Sequence, residues 1–201
     1  RPVKIAASIQ VRMGSERLPG KVMADLSGKP MLWHLINRLR QSKYLDEIGV
    51  ATTVNKDDDL IEKFCQTEDI ICFRGSDKDV LSRAIGSYQL LNASVGVMVY
   101  GDNPLIDPLV VDEFIKFFRD SPKYDWVGND LKTTFPPGMD VEVFSVSSLE
   151  DSALRTSDPQ IREHPTLFIR KNPGIYRLKN IEAKGSRRCP ELYLGVDAPQ
   201  D

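Results

Sequence analysis

The stretch Gln10-Val11-Arg12-Met13-Gly14-Ser15-Glu16-Arg17-Leu18-Pro19-Gly20-Lys21 holds two arginines, a lysine, a serine and two glycines within twelve residues. Guanidinium, ammonium, hydroxyl and backbone N–H donors at that density are what a polyphosphate needs. Arg12, Arg17 and Lys21 form the core of this candidate cradle. The spacing is neither that of a Walker A loop nor that of a G-x-G-x-x-G dinucleotide fingerprint, so the basic content is the signal. An ordinary polar loop is the plainer alternative.

Two acids occupy comparable places further on. Asp102 follows the apolar run Val95 to Tyr100, and Asp197 follows Leu192 to Val196, so each is expected at the end of a strand. Magnesium takes oxygen ligands and usually keeps one or two carboxylates beside phosphates and waters, which makes Asp102 and Asp197 candidate Mg²⁺ ligands. A single Asp after a strand is equally well explained as a turn or helix cap; the basic loop tips the reading toward metal.

The segment from Phe73 to Arg83 opens a helix and offers backbone N–H groups and small polar side chains that can read a base. Alternatively Ser76 or Asp77 caps that helix, with Asp79 in its first turn. Asp140 and Glu142 alternate with Met139, Val141 and Val143, which places both acids on one strand face where they can bind sugar hydroxyls or simply meet solvent. Asn129 and Asp130 are weaker candidates for the same cleft. His164 precedes Pro165 and is expected at a loop or helix boundary. Trp33 and Trp126 read as packing.

The elements that must hold these residues alternate. Apolar runs Val3 to Ile9, Ile48 to Thr53, Ile70 to Phe73 and Val95 to Tyr100 are separated by helix-period segments over 30–41, 57–67, 77–91 and 108–119. Runs apolar on both faces predict a parallel sheet covered by helices, with ligands at the carboxyl ends of its strands. Pro30 is expected at a first helical position, ahead of a core stripe of Met31, Leu32, Leu35, Ile36 and Leu39. Beyond residue 120 the pattern loosens into α+β decoration, with a turn at Pro136-Pro137-Gly138. The run Leu192 to Val196 reads as a last strand, followed by a helix start that the chain does not complete.

Length and composition bound the rest. A chain of 201 residues, 41% hydrophobic and 28% charged, can bury one substantial core. No apolar run approaches a membrane span, so no membrane role is expected. Three cysteines, Cys65, Cys72 and Cys189, lack zinc spacing and suit free thiols in a reducing cytoplasm. Residues 1–43 carry nine Lys/Arg against two Asp/Glu within an overall charge of −2, so the remainder is acidic. That balance suits a small phosphate ligand rather than a nucleic acid polymer. The chain starts at Arg1, without an initiating methionine.

The run from Arg12 to Lys21 followed by Gly28-Lys29-Pro30-Met31 resembles the signature of the cytidylyltransferases that make CMP-activated acidic sugars. The segments Gly101-Asp102-Asn103-Pro104-Leu105-Ile106-Asp107, Gly138-Met139-Asp140-Val141-Glu142-Val143-Phe144 and Arg162-Glu163-His164 are similar to the spore-coat-polysaccharide branch of that family. The likeness spans nearly the whole chain. It implies a Rossmann-like nucleotidyltransferase fold, a three-layer α/β/α sandwich with a mostly parallel sheet. It also implies one domain over 1–201: a nucleotide half over 1–120, an acceptor-binding and dimerisation excursion over 121–191, and a return strand over 192–201.

The same resemblance puts CTP over the end of the first strand. Arg12, Gly14, Ser15 and Lys21 would surround the triphosphate with Arg17 nearby, and Lys21, Arg12 and Asp102 would be catalytic. Gly75, Ser76, Asp77 and Arg83 would read cytosine, although the chain lacks the Gln-x-Ser-Gly-Thr-like run of some relatives. Asp140, Glu142 and His164 would contact an acidic sugar, Asp102 and Asp197 would hold Mg²⁺, and a homodimer is implied. A nucleotidyltransferase for another acceptor (a sugar phosphate, polyol phosphate or phosphonate), or a nucleotide-binding module without turnover, are the competing expectations.

Overall fold

The computed structural model describes residues 2–201. In chain order the strands are β1 (Ile5–Gln10), β2 (Asp25–Leu26), β3 (Lys29–Pro30), β4 (Glu47–Thr53), β5 (Ile71–Gly75), β6 (Val95–Tyr100), β7 (Trp126–Gly128), β8 (Glu142–Ser145) and β9 (Leu178–Asn180). The helices are α1 (Met31–Leu39), α2 (Asp59–Thr67), α3 (Val80–Leu90), α4 (Pro108–Asp120), α5 (Val146–Arg155), α6 (Pro159–Arg162) and α7 (Leu167–Lys171).

Seven strands form one sheet in the order β5-β4-β1-β6-β8-β7-β9. β8 runs antiparallel to both its neighbours, and the other six run one way. The chain winds outward from β1 through β4 to β5, then returns to lay β6 on the other side of β1. That reversal opens a crevice at the carboxyl ends of β1 and β6, the place where such sheets bind ligands.

Ile9 of β1 lies beside Val50 of β4 and Val99 of β6, and all three are fully buried. One face of the sheet packs against α1, α2 and α4. The five buried residues of α1 face this core, each stabilising by roughly 1.5–3 kcal/mol relative to exposure. The opposite face packs under α3 and α5, where Tyr88 and Phe144 meet edge to face at 5.5 Å and Trp126 is fully buried. Helices on both faces give the three layers expected. The looser second half contributes β7, β8 and β9 to the same sheet.

Three boundaries differ from expectation. Pro30 is the cap residue of α1 in extended conformation, because the hairpin of β2 and β3 pairs it with Asp25. The cap of α3 is Asp79, whose carboxylate accepts from Ser82 N at 3.0 Å, and Ser76 instead accepts from Asp79 N. No strand forms over Leu192–Val196. That segment is extended but wedged between loops, with Leu194 N donating to the Pro137 carbonyl at 2.7 Å and Val196 N to the Asp102 carbonyl at 2.8 Å.

Candidate functional site

The basic loop leaves β1 at Gln10 and is folded by its own backbone. The Met13 carbonyl accepts from both Ser15 N (3.0 Å) and Gly20 N (2.8 Å), closing the loop on itself. Met13 N in turn donates to the buried Asp58 carboxylate at 2.7 Å, which ties the loop to the corner between β4 and α2. Asp58 was invisible as an anchor in the sequence, where it is one of three consecutive aspartates. A 3-10 turn over Lys21–Met23 then carries Lys21 inward; its side chain is only 14% exposed, against 50% for Arg12 and 70% for Arg17.

Two carboxylates meet this lysine. Lys21 Nζ donates to the Val196 carbonyl at 3.0 Å and to Asp197 Oδ1 at 3.4 Å, and Arg17 stands 3.3 Å from the same oxygen. The Tyr193 hydroxyl donates to Asp197 Oδ2. That hydrogen bond, then Lys21 and Arg17, hold the Asp197 carboxyl below its usual range. Asp102 is close enough to feel both: burial pushes its carboxyl up, Asp197 pushes the same way, and Lys21 opposes. Asp102 reaches this position because Gly101 lets the end of β6 lie against the loop; a Cβ there would sit 2.2 Å from Val11 Cγ1.

A cavity of about 380 Å³ opens over these groups. Arg12, Gly14, Ser15, Arg17, Lys21, Arg83, Asp102 and His164 line it together. Tyr100 also lines it, as do Gln10 of the basic stretch and Glu163 of the Arg162-Glu163-His164 segment, none of which had been assigned a role. Arg83 is buried in the floor, donating from Nε to Gln10 Oε1 at 3.2 Å and from Nη1 to the Ser76 carbonyl at 2.8 Å. Burial, with Arg12 nearby, makes its guanidinium a stronger acid than usual.

Other expected residues lie outside the cavity wall. Gly75 and Ser76 sit behind Arg83, and Asp77 turns to Arg12, 3.1 Å away. The alternation over 139–144 misleads. Asp140 precedes β8, receives Gly138 N at 3.3 Å, and has its carboxyl raised chiefly by burial. Glu142 points into the protein, 3% exposed, accepting from Trp126 Nε1 at 3.0 Å, with the Thr166 side chain beside it. It is therefore not an open cleft residue: period-2 alternation assigns a strand face but does not say which layer covers it. Asn129 is consumed by the Met139 carbonyl and Val141 N, and Asp130 pairs with Arg170 at 2.9 Å.

Asp102 presents hard oxygen donors at one end of the cavity, and Asp197, outside the lining, meets it across Lys21, the cation that offsets both charges. Mutual repulsion between two carboxylates beside a phosphate-sized, cation-lined space fits a magnesium ion with one or two protein ligands. Among the described residues no group of three or more His, Cys, Asp or Glu could form a protein-only cage.

A family model described as "Cytidylyltransferase" matches residues 6–199. The spore coat polysaccharide biosynthesis protein SpsF of Bacillus subtilis is 35% identical over 199 residues, covering 96% of this chain and 81% of that protein. A 3-deoxy-manno-octulosonate cytidylyltransferase of Syntrophus aciditrophicus is 29% identical over 86% of this chain and 73% of its own. The solved structure of a cytidylyltransferase from Leptospira borgpetersenii superimposes with a TM-score of 0.91 at 29% identity, over 98% of this chain and 82% of that one.

Proposed function

Because the chain belongs to the cytidylyltransferase family, we propose that it transfers CMP from CTP to a hydroxyl of an acidic sugar, of the 2-keto-3-deoxy or nonulosonic type, and releases pyrophosphate. The products would serve surface polysaccharide or glycoconjugate synthesis, as the names of its relatives suggest. The observation that carries the reading is one cavity at the carboxyl ends of β1 and β6 lined by Arg12, Lys21 and Asp102 together, with Asp197, outside the lining, held against Lys21.

In this reading the acceptor hydroxyl attacks the α-phosphorus in line with the departing pyrophosphate. The protein forms no covalent intermediate, so positioning and electrostatics supply the rate. Backbone N–H groups around Gly14, the Ser15 hydroxyl and Arg12 hold the triphosphate, with Arg17 at the rim. Lys21 is the most buried cation of the loop and faces the charge that grows as pyrophosphate leaves, where a preorganised donor is most effective. Arg83 reads the base from the cavity floor, held in place by the loop through Gly75, Ser76 and Asp77. Asp140 and His164 approach the acceptor, and Glu142 supports that wall from behind. Asp102 and Asp197 would hold Mg²⁺, which when bound supplies charge neutralisation at the phosphates.

We read residues 1–201 as one unit, supported by strands from both halves sharing one sheet. A homodimer through 121–191 is part of the proposal, supported by the exposed Leu154 and Ile175 on that half. A cytoplasmic setting suits three free thiols; no helix among the described residues is long and apolar enough to cross a membrane.

The test is pyrophosphate release from each nucleoside triphosphate against a panel of sugar acids, sugar phosphates and polyol phosphates. Turnover confined to CTP with a 2-keto sugar acid is expected. Turnover only with a phosphorylated acceptor, or CTP binding without any turnover, would overturn it.

A further inference from the structure

Arg162 stands next to two residues that line the cavity, Glu163 and His164, yet its own guanidinium points away from the site. Nε donates to Asp79 Oδ2 at 3.0 Å, and Nη2 forms an ion pair with the same oxygen at 2.9 Å. Nη1 donates to the Ala153 and Thr156 carbonyls, at 2.9 Å each. Three hydrogen bonds and an ion pair thus engage all three nitrogens with the protein, which leaves no fork for a substrate carboxylate or phosphate. Asp79 is equally committed: its other oxygen caps α3 at Ser82 N, the helix that carries Arg83 into the cavity floor.

The far side of the same short segment is also anchored. Thr166, 1% exposed, lies against Glu142, which is itself held by Trp126, and its carbonyl accepts from Arg170 N at 3.0 Å. Glu163, His164 and Pro165 are therefore strung between two fixed points, Arg162 on Asp79 and Thr166 on Glu142. Within the span the backbone is tight, with Glu163 N donating to the Pro159 carbonyl at 3.0 Å and Leu167 N to the His164 carbonyl at 3.0 Å.

We propose that Arg162 and Asp79 form a positioning clasp that fixes the acceptor-side wall, Glu163 to Pro165, at a set distance from the nucleotide-side helix α3. Arg162 touches no substrate; it acts through His164 and Glu163. The proposal rests on the reading of this wall as the acceptor side. Its physical basis is that one planar guanidinium joins the end of α5, α6 and the cap of α3, elements that no strand pairing connects. A lysine reaches Asp79 but cannot hold two carbonyls at the same time.

The experiment uses the full chain with Arg162→Gln, Arg162→Lys and Asp79→Asn, the last preserving a good helix cap. Three readouts are taken: CTP affinity by calorimetry, KM for CTP and for the acceptor, and hydrogen exchange resolved along the chain. Expected for Arg162→Gln are CTP affinity within about twofold of wild type, an acceptor KM raised at least tenfold, and faster exchange confined to residues 153–171. Asp79→Asn should repeat this pattern, and the double variant should be no worse than either single one. Arg162→Lys should fall between. Unchanged exchange over 153–171, additive losses, or CTP affinity falling in step with the acceptor would overturn the clasp. If wild type turns over no acceptor, the functional reading fails, and the exchange pattern with its non-additivity still decides the clasp.

Discussion

Lys21 and Asp197 lie 3.4 Å apart at their charged atoms although 176 positions separate them in sequence. The contact ties the last segment of the chain to a cation of the cavity wall, a cation that in the proposed reaction would have a phosphate as its alternative partner. In the proposed reaction a phosphate would draw Lys21 away, and Asp197 would keep Arg17 and the Tyr193 hydroxyl as partners.

Replacing Lys21 by Met should therefore lower kcat by at least 100-fold, about 2.7 kcal/mol in the barrier, in keeping with the loss of one preorganised donor. Steady-state pyrophosphate release at saturating substrates measures this, with circular dichroism confirming the fold. Full activity in the variant would remove Lys21 from the chemistry.

Asp102→Asn should separate stability from activity. Burial raises the Asp102 carboxyl, so its charged form is disfavoured in the fold, and a neutral amide removes that penalty. The melting temperature without added metal should hold or rise while turnover falls more than tenfold, about 1.4 kcal/mol. A chelator should abolish wild-type turnover and Mg²⁺ restore it; turnover indifferent to chelation would refute the metal assignment.

Glu142 predicts a pH effect of definite sign. Its carboxyl is raised from 4.5 to about 7, first by burial and then by Asp130, against hydrogen bonds from Thr166 and Trp126 and the charge of Arg170. Between those values the folded protein keeps a proton that the unfolded chain has lost, so this group's contribution to stability falls as pH rises through that window. Glu142→Gln should gain on wild type by on the order of 2 kcal/mol between pH 5 and pH 8 in urea unfolding. A difference that does not change with pH would count against it.

Much of this was legible before any coordinates. The parallel strands announce themselves because burial on both faces demands continuous apolar runs, as in Val95 to Tyr100. Asp102 could be placed because such a run ends just before it. Asp197 was set at the end of a strand that does not form: an apolar extended run looks the same whether a ladder or two loops hold it. Glu142 was misplaced for a related reason, since alternation gives the face and only the Trp126 indole above it gives the layer. The roles of Arg162 and Asp58 rest on partners 83 and 45 residues away, which no local pattern encodes.

Gly138 tests how the last segment is seated. It has a φ of +106°, and a Cβ there would lie 2.5 Å from the Leu194 carbonyl carbon. Gly138→Ala combines backbone strain with a clash against backbone that cannot swing aside, so a loss on the order of 2–4 kcal/mol is expected. The melting temperature should drop by roughly 5–15 °C. A normal melting curve would mean that the segment reseats freely.

The distance in sequence between Lys21 and Asp197 also has a meaning in time. A chain made at about 5–20 residues per second exposes its basic loop roughly 10–35 s before Asp197 leaves the ribosome. Throughout that interval the nascent protein carries the cations of the pocket without the acid that faces them. The site joins a segment made early to one made much later, and the Lys21–Asp197 contact cannot form until the second arrives.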